Sequence, residues 1–251
     1  MIDLIKLEEG LKYLRLDETY ELVKLKQSLG SISDESLELI YEICNIEIAS
    51  KSNRASQTMI KTSNFPHHKT LDEFDFTFQP GISEGKIKAL TDLKFVDNHE
   101  NIIFIGSPGV GKTHLATSIG LATSSKRIST YFIKCSQLLT NLKEAFEENR
   151  LDDRLKHYCK YKVLIIDEVG FLPINELESK ILFQLIDKRY EKKSTIFTSN
   201  LTFDKWHTLF GQEELANAII DRIVHHSHLF NISGDSYRLK DKLDDAQNRA
   251  N

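Results

Sequence analysis

The sequence predicts an α/β fold: a three-layer arrangement in which a parallel β-sheet carries helices on both faces, preceded by a small all-α domain. Three observations predict it. From Gly81 onward, short apolar β-prone runs alternate with longer stretches of helical periodicity, the pattern of a parallel sheet with crossover helices. The string "GSPGVGKTH" at 106–114 stands between the apolar run "NIIFIG" and the helix-like run "LATSIGLA", a phosphate-holding turn between strand and helix. The opening segment instead spaces its apolar side chains by three and four residues.

Taken in order, residues 1–63 read as helical. "YLRLDETYELVKLKQSL" and "SDESLELIYEICNIEIASKS" are the helical runs, "LGSISDE" is the turn, and Ser33 is the N-cap of the second helix. Residues 1–50 hold 11 acidic and 5 basic side chains, whereas Ile48 to Leu71 contains no acidic residue. That second stretch, with Lys51, Arg54, Lys61 and Lys69, is either a phosphate-contacting segment or a solvated connection. Residues 64–80 form a linker, where Pro66 and Pro80 mark irregular backbone. Within it Phe74, Phe76 and Phe78 alternate with polar residues, as an extended segment with one apolar face would. Residues 81–251 form the α/β core. Its strands are expected at Ile102–Ile105, Thr130–Lys134, Val163–Ile166, Thr195–Thr198 and Leu229–Ile232. Its helices are expected at Lys112–Ser124, Ser136–Asn149, Glu176–Tyr190 and Glu213–His225.

Composition narrows the class. The chain is 40% hydrophobic and 28% charged, which allows a buried core under a soluble surface. No run of 18 apolar residues exists, so no membrane span is expected, and the first residues do not read as a signal peptide. Cys44, Cys135 and Cys159 are widely spaced, which favours a reducing, cytoplasmic setting over a disulfide framework or a zinc ribbon. His225, His226 and His228 lie close together, but no Cys or carboxylate stands at metal-ligand spacing beside them, so a zinc site is not expected. Trp206 reads as a helix anchor.

The chemistry begins at Gly106. Gly106, Ser107, Pro108, Gly109, Val110, Gly111, Lys112 and Thr113 fit G-x-x-x-x-G-K-[ST], with His114 next in the first helical turn. Glycine lets backbone N–H groups turn inward around a β-phosphate, Lys112 can reach the β- and γ-phosphates, and Thr113 can ligate Mg²⁺. "KVLIIDEVG" then forms a strand ending in Asp167 and Glu168. Asp167 suits the Mg²⁺ side of a nucleotide, and Glu168 suits a general base that takes a proton from attacking water. A whole strand–helix unit, around Tyr131–Asn149, separates the two motifs, which suggests the additional-strand branch of P-loop proteins rather than the kinase and GTPase branch. No Asn-Lys-x-Asp signature for guanine occurs, so ATP is the expected nucleotide. "STIFTSNLTF" is an apolar strand tipped by Asn200, whose amide can sense a γ-phosphate and orient water.

These motifs, in this order, resemble AAA+ ATPases, and more closely the IstB-like transposition helpers and their relatives, the DnaC-type helicase loaders. The resemblance is carried by "TLDEFDFTFQP", "GSPGVGKTHLA", "VLIIDEVGFLP", "LFQLIDKRYEKKSTIFTSNLTFDKW", "IIDRIVHHSH" and "ISGDSYRLK", from Phe65 to Lys240. It implies an ATP hydrolase that binds duplex DNA without reading sequence, assembles into homo-oligomers and assists a transposase. It also implies that Arg222 is an arginine finger acting on the nucleotide of a neighbouring subunit. On residues alone, Arg222 could instead be a surface cation pairing with Asp187 or Asp221. Arg238 in "SYR" is a candidate second sensor. Only 19 residues follow Ile232, too few for a C-terminal helical lid, so Phe74–Phe78 could flank the adenine in its place. Lys51, Arg54, Lys61, Lys126 and Arg127 are candidate DNA contacts. A helicase loader, a small-molecule phosphotransferase and a nucleotide-dependent module without turnover are the rival readings.

Overall fold

The structure, a computed structural model, describes residues 4–240 and divides into two compact units, Met1–Thr58 and Met59–Asn251.

The first unit is helical: α1 (Leu4–Leu14), α2 (Asp17–Ser28) and the start of α3 (Asp34–Thr62). Leu7, Leu11, Val23, Leu37 and Cys44 make its core. The run expected as one helix through 13–29 breaks at Arg15, which adopts φ 62° while Leu16 N–H donates to Leu11 O at 2.9 Å. This is a Schellman-type closure. It is normally signalled by glycine, and an arginine there hides it from the sequence. Ser33 caps α3, its Oγ accepting from Ser36 N–H at 3.2 Å. In the polar stretch that ends α3, Thr58 and Thr62 satisfy their hydroxyls within the helix by donating back to Arg54 O and Met59 O.

The second unit is the sandwich. Its strands are β1 (Asn101–Gly106), β2 (Thr130–Lys134), β3 (Val163–Val169), β4 (Ser194–Ser199) and β5 (Ser227–Ile232), all parallel in the order β2-β3-β4-β1-β5. β4 therefore lies between the strand leading into the glycine loop and the strand ending in Asp167 and Glu168, while β2 takes the edge. The helices are α4 (Glu84–Leu90), α5 (Lys94–Asp97), α6 (Lys112–Ser125), α7 (Cys135–Glu147), α8 (Leu151–Cys159), α9 (Glu176–Arg189), α10 (Trp206–Phe210) and α11 (Glu213–Val224).

Alternate strand residues face opposite layers. Ile103, Ile105, Leu164, Ile166 and Phe197 pack under α7 to α11, while Ile102, Phe104, Val163, Ile165 and Ile196 pack under α4 to α6. Each such buried side chain contributes roughly 1.5–3 kcal/mol. The expected helix 136–149 stops at Glu147, because Asn149 turns left-handed (φ 54°) and α8 starts afresh. Trp206 is completely buried and opens α10, donating from Nε1 to Leu201 O at 3.3 Å. Beyond β5 the described chain makes a 3-10 turn at Tyr237–Leu239; residues 241–251, part of the tail judged too short for a lid, lie outside the described residues. No helix among the described residues is long and apolar enough to cross a membrane.

Candidate nucleotide site

A cavity of about 560 Å³ opens at the carboxyl ends of β2, β3 and β4, over the loop that links β1 to α6. Ligand crevices of parallel sheets lie at this edge. The loop takes its shape from glycine. Gly109 and Gly111 have φ 87° and 97°, and a Cβ on Gly109 would stand 1.9 Å from Ser236 Oγ. Close packing there brings the segment after β5 onto the loop, where Tyr237 N–H donates to Gly109 O at 2.9 Å. Pro108 to His114 line the cavity, although the Val110 side chain is anchored in the core beneath it. Gly106 and Ser107 reach the site through their carbonyls, which accept from Lys112 Nζ at 2.7 and 2.8 Å. Burial pushes the Lys112 ammonium below its usual range and nearby Arg238 adds to this, while the Asp167 carboxylate works against it.

Asp167 is 1% exposed. Thr113 Oγ1 and Thr198 Oγ1 both donate to its Oδ1, at 2.9 and 2.5 Å. Burial raises the Asp167 carboxyl above its ordinary value, and these two hydroxyls oppose the rise. A desolvated carboxylate beside a threonine hydroxyl, with no cationic side chain bonded to it among the described residues, is a donor set that fits a hard cation such as Mg²⁺.

Glu168 is placed by a break in the ladder. The β3–β4 register shifts between Ile166 and Val169, and Glu168 takes φ 61° with its N–H held by Thr198 Oγ1 at 2.9 Å. A non-glycine residue in the left-handed region is locally strained, and here the bulge aims the carboxylate into the cavity. Lys134, the last residue of β2, pairs with it at 3.0 Å. Asn200, just past β4, lines the same cavity.

The linker corrects one expectation. Phe74–Phe78 is not extended. The Asp75 carboxylate accepts from Thr77 N–H and Phe78 N–H, both at 3.1 Å, and folds the segment into a turn. Phe74 is buried against Gly111 and meets the His114 ring edge-on at 5.4 Å, forming a cavity wall with Pro66 and His67. His114 also bonds Thr70 O at 2.8 Å. Its expected place in the first helical turn is thus turned toward the linker.

Arg222 is not among the cavity-lining residues. It lies on α11, where Nε donates to Asp187 Oδ1 at 2.8 Å and the guanidinium covers the Phe183 ring at 4.7 Å. Within one chain it makes one of the surface pairings open to it from its residue type. Arg238, by contrast, lines the cavity. Sequence reasoning missed Lys134 and the double role of Thr198. Their signal is the strand register, which sets Lys134 beside Asp167 and cannot be read from a single chain segment.

Similarity to known proteins gives the family. The model of the IstB-like ATP binding protein family matches residues 10–245. The ATP-binding protein of insertion sequence IS232 from Bacillus thuringiensis subsp. berliner is 51% identical over 239 residues, covering 91% of this chain and 96% of that protein. The corresponding protein of insertion sequence IS5376 from Geobacillus stearothermophilus is 44% identical, covering 82% of each. Among solved structures, the DnaC helicase loader superposes with a TM-score of 0.52 at 26% identity, covering 65% of this chain and 96% of that one. The glycine loop, the acidic strand end and these matches together place the chain in the IstB-like family of insertion-sequence ATP-binding proteins, on an AAA+ fold.

Proposed function

We propose that the protein is an Mg²⁺-dependent ATP hydrolase that assembles on duplex DNA and assists the transposase of its insertion sequence, with residues 1–63 as a leading domain for partner contact. The observation that carries this reading is the joining of Thr113, Asp167 and Glu168 at one cavity above the glycine loop. Gly106 to His114 hold the phosphates, and Lys112 exchanges its loop carbonyls for phosphate oxygens. Thr113 and Asp167 hold Mg²⁺, which would screen the phosphate charge. Glu168 leaves Lys134 to accept a proton from water that Asn200 orients. Tyr237 and Arg238 approach from the segment after β5, and Phe74 borders the adenine.

Arg222 completes the site of a neighbouring subunit, where a guanidinium facing the transferring phosphoryl group is worth roughly 10³–10⁵ in rate. It must first leave Asp187. Lys61, Lys126 and Arg127, together with Lys51 and Arg54, are the proposed phosphate contacts on DNA. Lys51 already donates to Tyr13 O at 3.0 Å, and Arg54 lies 3.8 Å from Glu47.

Mixing tests the reading. Arg222→Ala and Glu168→Gln subunits, each inactive alone, should together regain part of the ATPase rate, because some interfaces then pair an intact Glu168 with an intact Arg222. The wild-type rate per subunit should also rise with protein concentration and with duplex DNA. Mixtures that stay inactive, with a wild-type rate flat in concentration, would refute the shared site. The likeness to the DnaC helicase loader supports a second reading as a helicase loader; preference for single-stranded over duplex DNA would favour it.

A further inference from the structure

We propose that Glu191, His225 and His226 form a binding site for one transition-metal ion of the zinc type, which staples the ends of α9 and α11 beside Arg222. In the sequence the nearest carboxylate to the two histidines is Asp221, one helical turn before them. The fold supplies another by bringing the ends of the two helices together. His226 Nε2 lies 3.4 Å and His225 Nδ1 4.0 Å from Glu191 Oε1, and one ligand atom from each residue falls within 4.8 Å of the others. Ligands spaced around a tetrahedral zinc at about 2.0–2.1 Å stand roughly 3.4 Å apart. The three side chains are exposed, so small rotations close the remaining gap. The Tyr190 hydroxyl stands 2.6 Å from His225 Nδ1 and gives up that contact when the nitrogen takes the metal.

A second observation points to a cation. α9 ends at Arg189 and α11 at Val224, so two helix C-termini, each with partial negative charge from its last carbonyls, meet at this spot. Two imidazoles with one carboxylate select Zn²⁺, Ni²⁺, Co²⁺ or Cu²⁺ over Mg²⁺, which separates this site from the Asp167 site. Its setting ties it to Arg222. Asp187–Arg222 joins the last turns of α9 and α11, and Tyr190–His225 and Glu191–His226 join the residues just past them. Closing the last of these pairs with a metal stiffens the first and holds Arg222 on Asp187.

Cobalt(II) titrated into the full chain, in excess Mg²⁺, tests this. The wild type should bind one equivalent with the visible bands of imidazole-bound cobalt, and its melting temperature should rise with the ion. Bands and rise should both vanish in His226→Ala and in Glu191→Ala, and both should persist in His68→Ala. Unchanged circular dichroism and metal-free melting in these variants shows that folding is intact. No bands in the wild type, bands surviving in the first two variants, or bands lost in His68→Ala would each overturn the site.

Discussion

Glu168→Gln separates chemistry from folding more cleanly than any other change at this site. Glutamine keeps the volume and the strained backbone but cannot accept the proton. The interaction it loses is the pair with Lys134 at 3.0 Å, whose side chains are 53% and 37% exposed. A pair that open to water contributes about 0–1 kcal/mol. Thermal unfolding should therefore move by no more than about 1 kcal/mol in stability. Loss of a positioned general base lowers turnover by roughly 10²–10⁴-fold, equivalent to about 3–5 kcal/mol of transition-state stabilisation. Phosphate release, nucleotide binding and a melting curve measured on the same preparation decide the matter. The variant should bind ATP as the wild type does, melt with it, and hydrolyse little. A rate within tenfold of wild type would remove Glu168 from the role of base and revive the reading of a module that does not turn over. A rate loss matched by a large loss of stability would show that the residue serves the fold.

Further outcomes follow from the same geometry. Asp167→Asn should stabilise the nucleotide-free protein, because the raised carboxyl makes ionisation costly in the folded state. That cost is absent below the unfolded carboxyl pKa and complete above the folded one, so the gain should appear at neutral pH and fade toward acid in melting curves; Mg²⁺-dependent nucleotide stabilisation should be lost at the same time. Gly109→Ala should destabilise by about 1–3 kcal/mol, since its φ of 87° is unfavourable for alanine and its Cβ meets Ser236. Adding Ser236→Gly should recover the steric part alone in denaturant titrations. Arg189 is 2% exposed and donates to Thr195 Oγ1, Tyr158 O, Tyr161 O and Ser194 O. Arg189→Met orphans those acceptors and should cost about 3–5 kcal/mol in chemical denaturation. A smaller loss would mean that water replaces the guanidinium.

The alternating runs that revealed the sheet did so because a strand covered on both faces must be apolar at nearly every position, as Ile102 to Ile105 and Val163 to Ile166 are. The glycine loop was equally legible, since the backbone around a phosphate tolerates few residue types at Gly109 and Gly111. Short helices such as Lys94–Asp97 and Trp206–Phe210 gave no such signal, because one turn or so is too brief to display a period. The break at Arg15 stayed hidden for a related reason: the left-handed residue is not glycine.

Local chemistry, then, was written into the order of residues: the loop, its lysine and threonine, and the acidic pair after an apolar strand. Relations across the sheet and between helices were not. Only the packed structure set Lys134 against Glu168, Thr198 against Asp167 and Glu191 beside two histidines, and chose Asp187 over Asp221 for Arg222. Each of these joins residues far apart in the chain, and their distance depends on strand register and helix packing. Those are fixed by burial summed over the whole core, which no short stretch of sequence contains.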